Sequence, residues 1–429
     1  MLRLNTDYAL PFLKEPLDAL RPQILEASKK TLHKSGAGSD YLGWRDLLLK
    51  PNDALLDDVQ QTAAKIRSEA DVFLCIGIGG SYLGAKAVIE ALTPYFPSDQ
   101  HGKKGSPEVL FAGHHMSGAY MRDLLRYLEG KSVYVNVISK SGTTLEPALA
   151  FRFIREWMGQ RFDDADRRII VTTDPSSGAL NQLHRELGYK KYEIPRDVGG
   201  RFSVLTPVGL LPIAVAGVDI RSLFYGAVAG IERYSNENSD NPALQYAAIR
   251  TQLLRQGYGV EVFATFEPRL SGMGEWWQQL FGESEGKEET GLFPACVKYS
   301  TDLHSLGQYM QQGQRFLLET FLMAEDDEGG IQVPDFDANL DELNYLTGRT
   351  LTEVNRKAYE GTAKAHKAGG VPNMTLWLDR IAPETLGECI YFFEHAVAIS
   401  GYLLGVNPFD QPGVEAYKQE MFSLLGKPK

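Results

Sequence analysis

Short apolar runs alternate along this chain with longer segments whose apolar residues recur every three or four positions. Such alternation separates strands from helices. From residue 71 the pattern predicts strands at 71–76, 108–112, 132–138 and 168–172. Helices are predicted between and after them at 82–91, 121–128, 145–158 and 178–187. Strands and helices in turn imply a parallel sheet covered on both faces, with ligands gathering at the carboxyl ends of the strands. Residues 192–202 are polar and glycine-rich and read as a loop. A second series follows, with helices at 206–216, 222–233 and 241–256 and strands at 259–265, 295–299, 315–323 and 371–376. Further helices are expected at 351–368, at 382–404 and from about 413, and the acidic run 326–330 reads as a solvated turn. The first sixty residues show two helical patterns, 17–32 and 53–68, and no evident chemistry. The expected organisation is therefore an N-terminal helical segment (1–60), two α/β domains (61–205 and 206–400) and a C-terminal arm (401–429).

The densest chemistry lies at one strand-to-helix junction, Ser139-Lys140-Ser141-Gly142-Thr143-Thr144. Unpaired N–H groups and the positive end of the helix dipole face outward at such a junction, and this suits a phosphate. The plain alternative is a capping loop, for which a single Ser or Thr is enough. Four hydroxyls in six residues favour the phosphate. A second junction, Gly77-Ile78-Gly79-Gly80-Ser81-Tyr82-Leu83-Gly84, places Ser81 and Gly80 at another helix start. It is not a dinucleotide fingerprint, because Tyr82 stands where the third glycine of G-x-G-x-x-G belongs. Alone it is a tight turn; with 139–144 it suits one phosphate monoester.

Bulk properties narrow the partners. At 429 residues the chain exceeds one ordinary core, and its 43% hydrophobic and 23% charged content is that of a globular protein. A net charge of -11 without a basic block argues against nucleic acid. Cys75, Cys296 and Cys389 form no disulfide framework or zinc spacing, so the reading is a cytoplasmic protein without a metal site. No targeting segment is evident at the start, and the long apolar stretch 390–406 carries Glu394 and His395, so no membrane span is expected.

Four further features are weaker taken singly. Gly199-Gly200-Arg201-Phe202-Ser203 lets backbone approach a ligand beside an arginine, or is a surface turn. Glu283 stands where a helix is expected to end, near Gly282. The negative helix pole and any burial would raise its pKa toward that of a general base, whereas a solvated glutamate among Glu285, Lys287, Glu288 and Glu289 is the plain alternative. His304 and Lys418 carry no signal of their own.

Taken together, the segments Gly199–Ser203, Gln279 to Lys287 and Phe409 to Lys418 closely resemble the phosphoglucose isomerase family, in the family's order and over nearly the whole chain, as in its compact bacterial type. The resemblance implies two unequal sugar-isomerase (SIS-type) α/β domains with a C-terminal arm, acting as a homodimer. The implied reaction is reversible aldose–ketose isomerisation of glucose 6-phosphate and fructose 6-phosphate through a cis-enediol(ate), without cofactor or metal. By position, Ser81, Ser139, Ser141 and Thr144 would hold the phosphate, with Lys140 adding charge. Glu283 would carry the proton between C1 and C2, and Arg201 with the Gly200 amide would stabilise the developing charge. His304, from the neighbouring subunit, and Lys418 would open the sugar ring, with Gln279 and Gln411 positioning the substrate. Many relatives carry Asn at position 285, and the charge of Glu285 would act on Glu283. Two other readings are a non-enzymatic sugar-phosphate sensor on the same fold and a dual phosphoglucose/phosphomannose isomerase.

Overall fold

The computed structural model describes residues 1–96, 107–326 and 330–427. Residues 327–329 of the expected acidic turn lie outside the described part. Ten strands run in chain order: β1 (Leu2–Asn5), β2 (Val72–Ile76), β3 (Glu108–Ala112), β4 (Val133–Ile138), β5 (Ile169–Thr173), β6 (Lys190–Glu193), β7 (Val260–Thr265), β8 (Phe293–Lys298), β9 (Leu317–Asp326) and β10 (Asn373–Arg380). They form two five-stranded sheets, in the orders β3-β2-β4-β5-β6 and β1-β10-β9-β7-β8. Every pairing is parallel except that of β1 with β10. The α/β class with mainly parallel sheets flanked by helices is therefore the observed one.

The central strands β2, β4 and β5 are buried at every position, so apolar residues stand on both of their faces, with Asn136, Thr172 and Thr173 as buried polar exceptions. The strands missed from sequence are both edges. β6 reads Lys-Lys-Tyr-Glu, with only Tyr192 buried, and β1 is four residues long. An edge strand is held by backbone pairing on one side, and charged side chains there guard against unwanted pairing, so it carries little apolar signal. β1 also ties the start of the chain to the second sheet, with Leu2 opposite Leu378. The helix Gly43–Leu49 was likewise unforeseen; its Trp44 is buried and stacks on Phe202 at 5.4 Å.

Helix Pro383–Leu404 is the scaffold on which the second half is built. It is buried at every position from Thr385 to Tyr402. It packs against helices Ile220–Tyr234, Pro242–Arg255, Arg21–Leu32 and Ser271–Glu285. A helix with apolar residues on every side is surrounded on all sides, and here protein surrounds it, with Glu388, Glu394 and His395 buried within it. Among the described residues no helix is long and apolar enough to cross a membrane.

Candidate active site

The carboxyl end of β4 leads into the 139–144 turn, and helix Leu145–Arg161 begins straight after it. Ser139 is buried, and its Oγ accepts from Gly142 N at 3.0 Å. Ser141 Oγ accepts from Thr143 N at 3.1 Å and from Thr143 Oγ1 at 3.2 Å. Gly142 sits at φ 71°, in the left-handed region, with its Cα against the backbone of Leu180, so a side chain is excluded twice over. Thr144 occupies the N-cap but makes no side-chain capping bond. The hydroxyls thus shape the turn and leave the start of the helix free for a ligand, which is the arrangement expected of an anion socket.

The glycine junction closes the cavity from the neighbouring strand, β2. A Cβ on Gly80 would fall 2.0 Å from the carbonyl oxygen of Gly200, so two glycine-bearing turns from distant parts of the chain touch backbone to backbone. That contact brings Arg201 alongside. Arg201 is 2% exposed and spends all five of its N–H groups on protein oxygens. Nε donates to Ser284 Oγ at 2.8 Å, and Nη1 to Glu283 Oε2 at 3.1 Å and Gln411 Oε1 at 3.0 Å. Nη2 donates to the carbonyls of Pro408 at 2.6 Å and Asp410 at 3.1 Å. Burial pulls its pKa down from the ordinary arginine value and Glu283 opposes that pull. The guanidinium thereby binds helix Ser271–Glu285 to the segment around residues 408–411.

Glu283 lies in the last turn of helix Ser271–Glu285, which runs three residues past Gly282. Its Oε1 accepts from Gln279 Nε2 at 3.0 Å, one helical turn back, and its Oε2 faces Arg201. The side-chain oxygen of Gln279 is buried and has no partner among the described residues, so it is a ready acceptor for a ligand hydroxyl. Glu285 turns away from Glu283 and pairs with the buried Arg250. Its charge is therefore answered on the far side of the helix.

These parts enclose one cavity of about 480 Å³. Gly80, Ser81, Ser139, Lys140, Ser141, Thr144, Gly200, Arg201, Gln279, Glu283, Gln411 and Lys418 all line it. Ser141 and Glu283 thus belong to one pocket. Lys140 donates to the carbonyl of Arg196 at 2.8 Å, and burial lowers its pKa. Lys418, on helix Val414–Leu424, donates to Glu415 at 2.8 Å, and that bond raises its pKa. His304 is different. It occupies an exposed turn after β8, and it is not among the described residues that line the cavity. Sequence reading also passed over Ser203, whose Oγ donates to the Gly200 carbonyl at 2.6 Å, and Lys427, which reaches the cavity from the end of the arm. Ser203 stood inside a motif already singled out; Lys427 carried no signal. Among the described residues no group of three or more His, Cys, Asp or Glu is placed to hold a metal ion.

The chain as a whole is similar to known proteins. A family model described as phosphoglucose isomerase matches residues 59–427. The glucose-6-phosphate isomerase of Alkaliphilus metalliredigens is 52% identical over 414 residues, covering 95% of this chain and 91% of that protein. The crystal structure of a hypothetical protein from Thermus thermophilus superposes with a TM-score of 0.90 at 31% identity, over 99% of this chain and all of the other. A glucose-6-phosphate isomerase from Chlamydia trachomatis shares the fold, with a TM-score of 0.82 at 20% identity over 96% of this chain and 86% of its own. The chain belongs to the phosphoglucose isomerase family.

Proposed function

We propose that the protein interconverts glucose 6-phosphate and fructose 6-phosphate, with Glu283 as the base. The observation that carries this is one cavity in which a carboxylate, a buried arginine and two hydroxyl-bearing helix starts converge. The phosphate docks at Ser81, Ser141 and Thr144, with Ser139 bracing the turn and Lys140 adding charge. The far end of the open-chain sugar then lies along Gln279 and Glu283. Glu283 takes the C2 proton of the aldose; the electron pair moves to the C1 carbonyl and gives a cis-enediolate. The C2 hydroxyl then passes its proton to the C1 oxygen, the same carboxyl returns the carbon-bound proton to C1, and C2 becomes the ketone. A proton next to a carbonyl is weakly acidic, so the enediolate needs fixed positive charge, which Arg201 supplies with the Gly200 amide. Holding the phosphate makes the transfer effectively intramolecular.

Lys418 lines the cavity, where it assists ring opening. The same proposal makes the enzyme a homodimer in which His304 serves the neighbouring subunit's cavity; the exposure of its turn and its absence from the described residues that line its own chain's cavity support this. A cytoplasmic setting is supported by three free thiols, Cys75, Cys296 and Cys389.

A coupled assay that follows glucose 6-phosphate formed from fructose 6-phosphate tests the reaction, and absence of turnover by the folded protein refutes it. Mixing Glu283→Gln and His304→Ala chains tests the shared site: hybrids regain activity if His304 crosses the interface, and stay inactive after verified subunit exchange if it does not.

A further inference from the structure

Glu285 stands two residues beyond Glu283 and points into the protein. Both its carboxylate oxygens accept from Arg250, Oε1 from Nη1 at 2.7 Å and Oε2 from Nη2 at 3.0 Å. Ser400, on the buried helix Pro383–Leu404, also donates to Oε1 and lies 2.8 Å from Nη1 of Arg250. Nε of Arg250 goes to Glu261 on β7. Glu261 in turn accepts from Tyr246 Oη and Thr320 Oγ1, each at 2.7 Å. Arg250 and Glu285 are each 1% exposed at the side chain and Glu261 is fully buried. One arginine therefore serves two buried glutamates, and hydroxyls supply the other donors.

Such a pair adds little net stability, because desolvation offsets most of the attraction, yet it is costly to break. Its best-attested use is to fix one element in one register. Its place here says which element. Residues Glu283, Ser284 and Glu285 are consecutive, and each is held separately: Glu283 by Gln279 and Arg201, Ser284 by Arg201, Glu285 by Arg250. Two arginines thus grip the final helical turn from the cavity side and from the core side. Rotation of that turn would swing the Glu283 carboxylate off the reacting carbons.

We propose that Arg250 and Glu285 are positioning residues: their buried ion pair fixes the rotation of the last turn of helix Ser271–Glu285 and so aims Glu283 into the cavity. The proposal rests on the isomerase reading above. A misplacement of about 1 Å at such a base costs on the order of 100-fold in rate.

The test uses the full-length oligomeric enzyme and the variants Glu285→Gln and Ser400→Ala. Three readouts are taken: kcat per folded site, KM, and the primary isotope effect with glucose 6-phosphate deuterated at C2. An inactive wild type would refute the isomerase reading itself; the variants are compared only with an active wild type. Glu285→Gln is expected to lower kcat by about 10- to 100-fold, leave KM within about twofold and raise the isotope effect, because proton transfer becomes slower relative to binding and release. Ser400→Ala is expected to shift the same readouts in the same direction by a few-fold. A kcat per folded site within about twofold of wild type with an unchanged isotope effect overturns the proposal, even if the variant melts earlier, and so does a rise in KM with kcat intact. Should Glu285→Gln fail to fold, Ser400→Ala decides by the same criteria.

Discussion

The two ends of the cavity are built in opposite ways. The end proposed for the phosphate is largely local: six consecutive residues at the end of β4 provide hydroxyls, a left-handed glycine and an uncapped helix start, with Ser81 added from the neighbouring junction. The carboxylate end is assembled. Arg201 joins residues 283 and 284 to carbonyls at 408 and 410, and a second arginine braces the same helix from behind. An anion needs only a concentration of donors, which a turn supplies cheaply. A base that must transfer a proton between two specified carbons needs its position fixed, and the chain uses buried charge for that. Grip and aim are thus separate tasks, and substitutions in the two regions are expected to fail in different ways.

The largest effect is expected at the joint between them. Arg201→Met leaves Glu283 Oε2, Gln411 and the carbonyls of Pro408 and Asp410 without this donor. Its kcat/KM is expected to fall by about 10²–10³-fold, because transition-state charge loses its fixed counter-charge. Its unfolding free energy in a denaturant titration is expected to fall by on the order of 3 kcal/mol, as for one-sided loss of a buried ion pair. A soluble variant with normal kinetics would mean that the two ends do not depend on one joint. At the phosphate end, Ser141→Ala and Thr144→Ala each remove a hydroxyl intended for a charged ligand. Each is expected to raise KM about tenfold, from roughly 1.5 kcal/mol per bond, with a smaller change in kcat. Equal losses in kcat and unchanged KM would erase the distinction between grip and aim.

The smallest of these effects concerns pH. The buried scaffold helix carries His395, whose pKa burial pushes down from 6.5 to about 3, with the Arg45 charge acting in the same direction and a hydrogen bond with the Tyr234 backbone opposing it. A group with a depressed folded pKa contributes stability above its unfolded value and loses it on acidification. Stability is therefore expected to decline as pH falls from about 6.5 toward 3. His395→Phe should flatten that decline in urea titrations across the window. An unchanged slope would remove His395 as a source of acid sensitivity on the assembled side.

The same contrast governs what could be read from sequence. The 139–144 turn could be singled out because its hydroxyls, its glycine and its helix start occupy six consecutive residues. The buried strands β2, β4 and β5 and helix Pro383–Leu404 were legible because burial on all sides writes a predominantly apolar run. β6 and β1 were not, since backbone pairing defines an edge strand and only Tyr192 and Leu2 of their side chains are buried. At the assembled end, residues 201, 283 and 411 are separated by long stretches of chain, and only the family resemblance singled out their grouping. The Arg250–Glu285 pairing lay beyond both kinds of reading: Glu285 stood out only as a departure within its segment, Arg250 has no motif, and their 35-residue separation acquires meaning only in three dimensions.

The most direct test of the account is the Glu283→Gln variant, assayed for turnover and for fructose 6-phosphate binding by calorimetry on the same preparation. The amide keeps the size of the side chain and removes the base. The account predicts a kcat lower by about 10²–10⁴-fold, the usual contribution of a positioned acid–base group, with the dissociation constant changed only a few-fold. Wild-type turnover by Glu283→Gln, or loss of binding in place of loss of turnover, would contradict it.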